Sequence, residues 1–326
     1  MFKSWDKILI KTTEGKEQEA IVPIIISASR ATDLPAFYAN WFINKVCNDG
    51  YSIWINNFNQ NKVYVSYKNT RLIVFWSKNP KPIIEHLPKL DALGINYYFQ
   101  FTLNDYQNEN IEPNVPSVDE RIETFKELSN KIGKEKVIWR FDPLILSDKL
   151  TVPKLLDKIS NIGNQIYNYT DKLVISFADI NSYKNVASNL LKESFNYVEF
   201  TEKEMISIAE GLRELNKNWN LSIGTCAEKV DLLSYGIVKN KCIDDDLIVK
   251  LFPKDKELMN FLGYSEDLFG NSSRPNMKDK GQRVACGCMV SKDIGYYNTC
   301  KHFCAYCYAN SSKEAVNNKI KDLNLE

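Results

Sequence analysis

The chain has 326 residues, 44% of them hydrophobic and 25% charged, with a formal net charge of +1. This is the composition of an ordinary globular protein with one large core or two smaller ones, and it excludes disorder as the default state. A charge so near zero, with no long block of Lys and Arg, also argues against a generic affinity for phosphate backbones, so nucleic acid would have to be met through a local patch. No apolar run reaches bilayer-spanning length, and the N-terminus lacks the h-region of an export signal, so a cytoplasmic protein with no membrane partner is expected. In that reducing compartment eight cysteines point to metal binding or redox chemistry ahead of disulfides. The two histidines, His86 and His302, are too few for a His-rich zinc hydrolase and argue against Ser-His-Asp or Cys-His catalysis.

A first β-hairpin is predicted over Ile8–Ile21 around Glu14-Gly15, followed by a strand at Ile24–Ser27. The helix Leu34–Cys47 begins after Asp33, carries Pro35 in its first turn and stops before Gly50. A second hairpin covers Tyr51–Tyr67, then a strand Leu72–Trp76, a helix Pro80–Leu93 ending at Gly94, and a strand Tyr97–Thr102. Ser117-Val-Asp-Glu120 reads as a capping box opening a helix to Ile132 before Gly133. Beyond it come a strand Val137–Phe141, a helix Val152–Ile162, a strand Leu173–Phe177, a helix Glu202–Asn216 and a strand Leu221–Thr225. This alternation implies an α/β fold, expected as a full or partial (β/α) TIM-type barrel over residues 1–252 with the hairpins as N-terminal decorations. The rhythm is expected to end at Phe252, leaving residues 253–326 as a cysteine-rich segment that caps the barrel mouth, with one short strand near Gly295–Asn298.

The strongest local signal is Cys300-Lys-His-Phe-Cys304-Ala-Tyr-Cys307-Tyr-Ala-Asn310, a C-x3-C-x2-C run with an aromatic before its third cysteine. Such spacing lets one loop turn three thiolates toward a single cluster. Three ligands to a four-iron, four-sulfur (4Fe-4S) cube leave one iron open to a chelating cosubstrate. The run resembles the cluster motif of the radical S-adenosylmethionine (SAM) superfamily, in which the open iron binds the amino and carboxylate groups of SAM and reductive cleavage yields a 5′-deoxyadenosyl radical. That resemblance makes Tyr306, Tyr308 and Asn310 candidate cofactor-binding residues and implies a reductant such as ferredoxin or flavodoxin as a partner. A structural zinc knuckle is the competing reading of Cys304-x2-Cys307. The motif lies near the C-terminus, whereas in radical SAM enzymes it normally follows the first barrel strand, and no Gly-Gly-Glu-like segment for the SAM amino group is found.

Cys47 lies on the apolar face of its predicted helix and reads as a buried small hydrophobe. That leaves Cys226, Cys242, Cys286 and Cys288, the number of ligands in a closed cubane or a tetrahedral zinc site. A second 4Fe-4S cluster or a zinc ion is expected there, tying the tail to the barrel. In the alternative, Cys226 and Cys242 are inert core thiols and Cys286/Cys288 complete the first cluster, which would close its open iron.

Barrel enzymes place their chemistry at the C-terminal ends of the strands. The residues there include Arg30 and Asp33 after the first predicted strand, Lys78 after the second, Arg140 and Asp142 at the end of the fourth, and Glu228 after the sixth. Asp33 also suits a helix N-cap, and Lys78 could be a solvated surface residue. Arg30, Arg140 and Asp142 are read as anchors for a carboxylate or phosphate, the guanidinium forks binding it and Asp142 orienting them. The segments Ser27–Tyr38, Phe75–Pro80, Arg140–Pro143, Thr225–Glu228, Lys241–Asp244 and Gln282–Asn310 together resemble the bacterial family catalogued as domain of unknown function 1848. The resemblance implies a C-terminal cysteine cluster similar to the N-terminal cluster of radical SAM enzymes, and it supplies no reaction or substrate. The resulting expectation is an iron–sulfur, radical-SAM-like enzyme acting on an unidentified substrate. A non-SAM electron-transfer or sensor protein and a zinc-stabilised nucleic-acid-binding module are the other classes.

Overall fold

The structure, a computed structural model, describes residues 4–56, 59–266, 272–273 and 277–323. Its centre is a sheet of eight strands: β1 (Ile25–Ala28), β2 (Leu72–Ser77), β3 (Asn96–Thr102), β4 (Val137–Leu144), β5 (Lys172–Phe177), β6 (Ser222–Cys226), β7 (Ile237–Asn240) and β8 (Lys292–Asp293). Their spatial order is β8-β1-β2-β3-β4-β5-β6-β7 and every neighbouring pair is parallel. Among the described residues no ladder joins β7 to β8. The segments beyond these two edge strands do meet, where the Met289 amide donates to the Ile243 carbonyl at 3.1 Å.

Alternate strand residues bury two separate apolar layers, as a period of two requires. Ile26, Phe75, Phe99, Trp139 and Ile175 pack under the helices that connect the strands. Ile25, Leu72, Val74, Tyr98, Ile138 and Val174 face the other way, against Ile243, Ile248, Phe252, Leu258, Met259 and Leu262. Burial on both faces is why the strands read as nearly continuous apolar runs. The second face is lined by chain from 242 to 262 and from 286 to 289, including Cys242, Cys286 and Cys288.

Six of the eight strands match expectation within a few residues; β7 and β8 do not, and the differences have physical causes. The expected helix Leu34–Cys47 is three pieces, Leu34–Phe37, Ala39–Asn44 and a wide π turn Lys45–Asp49 that ends at Gly50 with φ +74°. The expected helix Pro80–Leu93 breaks into Lys81–Ile84 and Leu87–Ala92, because Pro88 offers no amide to the Ile84 carbonyl and its ring crowds it. The capping box holds: the Ser117 side chain accepts from the Glu120 amide and Glu120 accepts from Ser117. The strand–helix rhythm runs past Phe252 into the helix Lys256–Leu262, whose N-cap Asp255 takes an ion pair from Arg71 at 2.9 Å. No strand forms at Gly295–Asn298; the strand nearest it is β8, three residues earlier, and it adds to the main sheet beside β1. Gly295 follows it where the tail crosses β1 so closely that a Cβ would stand 1.8 Å from the Ser29 hydroxyl.

Both N-terminal hairpins form, Lys7–Lys11 with Glu17–Ile21 and Tyr51–Ile55 with Lys62–Ser66. A short parallel pairing of residues 20–21 with 64–65 joins them into a four-stranded sheet.

Candidate metal centres at the strand ends

Asp33 sits where β1 runs into its helix, and its carboxylate is buried. Oδ1 accepts from the Ala36 amide at 3.0 Å and the Ser77 hydroxyl at 2.7 Å; Oδ2 accepts from the Lys78 amide at 2.7 Å and faces His302 Nε2 at 2.8 Å. The expected N-cap is therefore also the joint that fastens the cysteine tail to the ends of β1 and β2. His302 is buried, and its Nδ1 meets the Asn114 carbonyl at 3.2 Å, so both ring nitrogens face acceptors.

Lys78 is not a solvated lysine. Its ammonium donates to Asn104 Oδ1 at 3.2 Å, Glu112 Oε1 at 2.8 Å and the Tyr306 hydroxyl at 2.8 Å. Tyr306 in turn donates to Glu112, and Arg121 backs the group through the Asn104 carbonyl at 2.8 Å. Burial, the largest influence, works against the Glu112 carboxylate, but Lys78 and Arg121 outweigh it and hold it below the usual carboxylate range.

The three tail cysteines stand in this setting. Burial pushes the Cys300 thiol up to about 12, with Cys307 and Asp33 adding to the effect. Burial likewise raises Cys304, with Lys78 opposing and Cys300 and Cys307 contributing, and it raises Cys307. Backbone amides nonetheless point at these sulfurs, from Asp33 and His302 at Cys300 and from Ala309 and Asn310 at Cys307. Thiols kept neutral by burial yet surrounded by N–H donors and a lysine suit sulfurs that become thiolates on a bound cation. Among the described residues only Asp244, Asp245 and Asp246 bring three ligand atoms mutually within 4.8 Å, so the tail thiols are not gathered as the ligands of one zinc ion. Asn310 Nδ2 holds the loop through the Cys300 carbonyl at 2.8 Å, and the half-exposed Tyr308 donates to the Arg30 carbonyl at 3.0 Å.

The other four cysteines lie together on the second face of the sheet, in a row. Cys226 Sγ is 3.5 Å from Cys242 Sγ, the Cys242 amide donates to Cys288 Sγ at 3.2 Å, and the Cys288 amide reaches Cys286 Sγ at 3.5 Å. No three of these sulfurs are mutually within 4.8 Å, so the row is not a tetrahedron. Hydrogen bonding from Cys288 holds the Cys286 thiol down to about 7, while Cys226, bonded to Cys242 and buried, is raised. Both sets force a non-glycine residue into the left-handed region beside a cysteine, Phe303 at φ +54° and Ala227 at φ +58°.

Arg140 backs the row. Its Nη1 donates to Gln100 Oε1 at 2.9 Å and Cys242 Sγ at 3.0 Å, its Nε to Asp142 Oδ2 at 3.0 Å, and its Nη2 also pairs with Asp142. Asp142 accepts as well from the Ser176 hydroxyl. Burial, again the largest influence, opposes the Asp142 charge, but Arg140 and Ser176 hold it below its ordinary value. Glu228 Oε1 accepts from the Phe177 amide at 2.9 Å; burial raises its carboxyl.

Thus Asp33, Lys78, Tyr306 and the tail thiols form one group, while Arg140, Asp142 and the four-thiol row form another. Sequence reasoning did not single out Glu112, Gln100, Trp76, Ser176 and Asp293. Glu112 lies in a stretch without periodicity, and Gln100 is the one polar residue in the aromatic run of β3, a signal that could have been used.

No match was found among curated proteins. A crystal structure from Bacteroides thetaiotaomicron, provisionally described as an α-L-fucosidase, aligns over 79% of this chain and 85% of its own at 10% identity and a TM-score of 0.25, a likeness that carries no argument. Residues 25–309 match the model of the family described as "Domain of unknown function (DUF1848)", and the chain belongs to that family.

Proposed function

We propose that the protein is an iron–sulfur enzyme of the radical SAM kind, acting on a substrate held at the C-terminal ends of a barrel-like sheet. Cys300, Cys304 and Cys307 would hold a 4Fe-4S cluster with one iron open to SAM. The chemistry this cluster would supply, once reduced by a ferredoxin or flavodoxin, is one-electron cleavage of SAM. Asp33 and His302 hold the loop against β1 and β2, and the Lys78–Glu112–Tyr306 group seals its buried side from water. The row at Cys226, Cys242, Cys286 and Cys288 would carry a second centre, a cluster or a zinc ion.

One observation carries the reading: three thiols of one short loop, Cys304 buried and Cys300 and Cys307 partly buried, influence one another's charge, are spread more widely than a single zinc ion's ligands, and receive backbone N–H donors at Cys300 and Cys307. Ligands on one four-iron cube are roughly 6–7 Å apart, against roughly 3.5–4 Å on one zinc. Protein purified without oxygen is expected to be brown and, after reduction, to convert SAM to 5′-deoxyadenosine and methionine. Colourless, zinc-only protein would end the iron–sulfur reading. A verified reduced cluster that neither binds nor cleaves SAM would leave an electron-transfer or sensor protein. Tight, salt-sensitive binding to DNA or RNA by such zinc protein would favour the nucleic-acid module.

A further inference from the structure

Two guanidinium groups stand over the same indole ring at the strand ends. Arg30 Cζ is 5.2 Å and Arg140 Cζ 5.3 Å from the centre of Trp76. Their surroundings differ. Arg140 is saturated by Gln100, Asp142 and Cys242, so its fork is spent inside the protein. No hydrogen bond or ion pair from the Arg30 side chain is present among the described residues, and its Nη2 is buried without a partner.

The main chain of Arg30 is, by contrast, fixed at both ends. Its amide donates to Asp293 Oδ2 at 2.9 Å and its carbonyl accepts from Tyr308 at 3.0 Å, so β8 and the cysteine tail together aim the side chain. Asp293, whose charge acts on Arg30 together with those of Cys288, Cys242 and Asp279, is already committed: Oδ2 also takes the Ser27 hydroxyl at 2.9 Å, and Oδ1 takes the Gly295 amide at 2.9 Å. The turn from β1 into its helix holds a second buried polar group without a partner, the Thr32 hydroxyl. Arg30 is half-buried with one buried donor left over, Nη2, and a planar fork of donors matches a carboxylate or phosphate in two parallel bonds.

We propose that Arg30, and not Arg140, is the oxyanion anchor of the site, taking the carboxylate or phosphate of a small molecule while Trp76 supports the guanidinium from one face. Arg140 and Asp142, both expected to serve the same anion, instead form an internal pair that backs Cys242. The inference rests on reading the strand ends as a substrate site, and it does not require SAM cleavage. The anion could be the carboxylate of SAM or an acidic group of the substrate, and the test separates the two.

The test is calorimetric titration of the full-length protein, purified without oxygen and with its metal retained, using inorganic phosphate and SAM as separate probes. Arg30→Gln is expected to weaken at least one of them by about tenfold or more, the loss expected for a charge-assisted bidentate pair. Weakening toward SAM alone assigns the anion to the cosubstrate, and weakening toward phosphate assigns it to the substrate. Equal affinities in wild type and Arg30→Gln, or a wild type that binds neither probe, would overturn the proposal. If Arg30→Gln does not fold, Arg30→Lys decides, since it keeps the charge and loses the fork; unchanged affinity in that variant overturns the bidentate role. A wild type that binds phosphate through Arg30, yet whose verified reduced cluster neither binds nor cleaves SAM, would keep this inference and sink the radical enzyme.

Discussion

The tail loop brings three cysteines from positions 300 to 307, Cys304 buried and the other two partly so, set apart from one another, with backbone amides at Cys300 and Cys307. The row on the second sheet face draws its four from the end of β6, the exit of β7 and the 286–288 segment, and its members are joined by one sulfur–sulfur contact and two amide-to-sulfur bonds. In the loop the short spacing limits where the thiols can go, and the surrounding protein mainly supplies charge balance through Lys78 and the Asp33–His302 joint. In the row only Cys286 and Cys288 are close in sequence; the ends of β6 and β7 and the chain from 242 to 289 bring the rest together. The first arrangement should tolerate changes elsewhere in the fold and fail when its own residues change. The second should be sensitive to packing.

The largest effect is expected from replacing Cys300, Cys304 and Cys307 together by serine. SAM cleavage should fall by about a thousandfold or more, since open-iron chemistry has no other source, while metal bound by the row persists. Iron analysis beside the 5′-deoxyadenosine assay would read both, and a variant that still cleaved SAM would abolish the distinction between the two sets.

Next is Lys78→Met. It strands a Glu112 carboxylate that is 3% exposed, and breaking such a pair from one side costs about 3–5 kcal/mol of unfolding free energy. Urea denaturation should show Lys78→Met/Glu112→Gln losing less than the sum of the single changes. The sign of the pH effect follows from the same pair. Because the folded Glu112 pKa lies below the unfolded one, its contribution is complete above the ordinary carboxylate range and is lost as pH falls through the folded value. Glu112→Gln should flatten that acid-side slope, and an unchanged slope would show that another group sets it.

Asp33→Asn comes third. An amide presents two hydrogens where three donors and His302 Nε2 now converge, so a loss of about 2–4 kcal/mol in stability is expected, with loosening of the tail visible as faster amide exchange around His302. Smallest is the contrast inside the row. Cys242 touches two other cysteines and Arg140, whereas Cys226 ends the row, so Cys242→Ser should cost about 1–3 kcal/mol and Cys226→Ser less. Equal melting temperatures for the two variants would mean that the row has no centre.

The sequence by itself determined six of the eight sheet strands, both hairpins, the capping box at Ser117 and the N-cap at Asp33, because period-two burial and helix capping act over a few residues. It also determined that three cysteines would share one loop. Only the tertiary structure decided that Asp33 receives His302 from the far end of the chain, that Lys78 is buried against Glu112 and Tyr306, and that Arg140 is satisfied while Arg30 is not. It also decided that a two-residue strand at Lys292–Asp293 joins the sheet, setting Asp293 against Ser27 across 266 positions of sequence. The reason is physical. A helix cap or an apolar alternation leaves its mark in neighbouring residues, but a buried charge is satisfied by whichever partner the fold delivers, and that partner leaves no mark beside it.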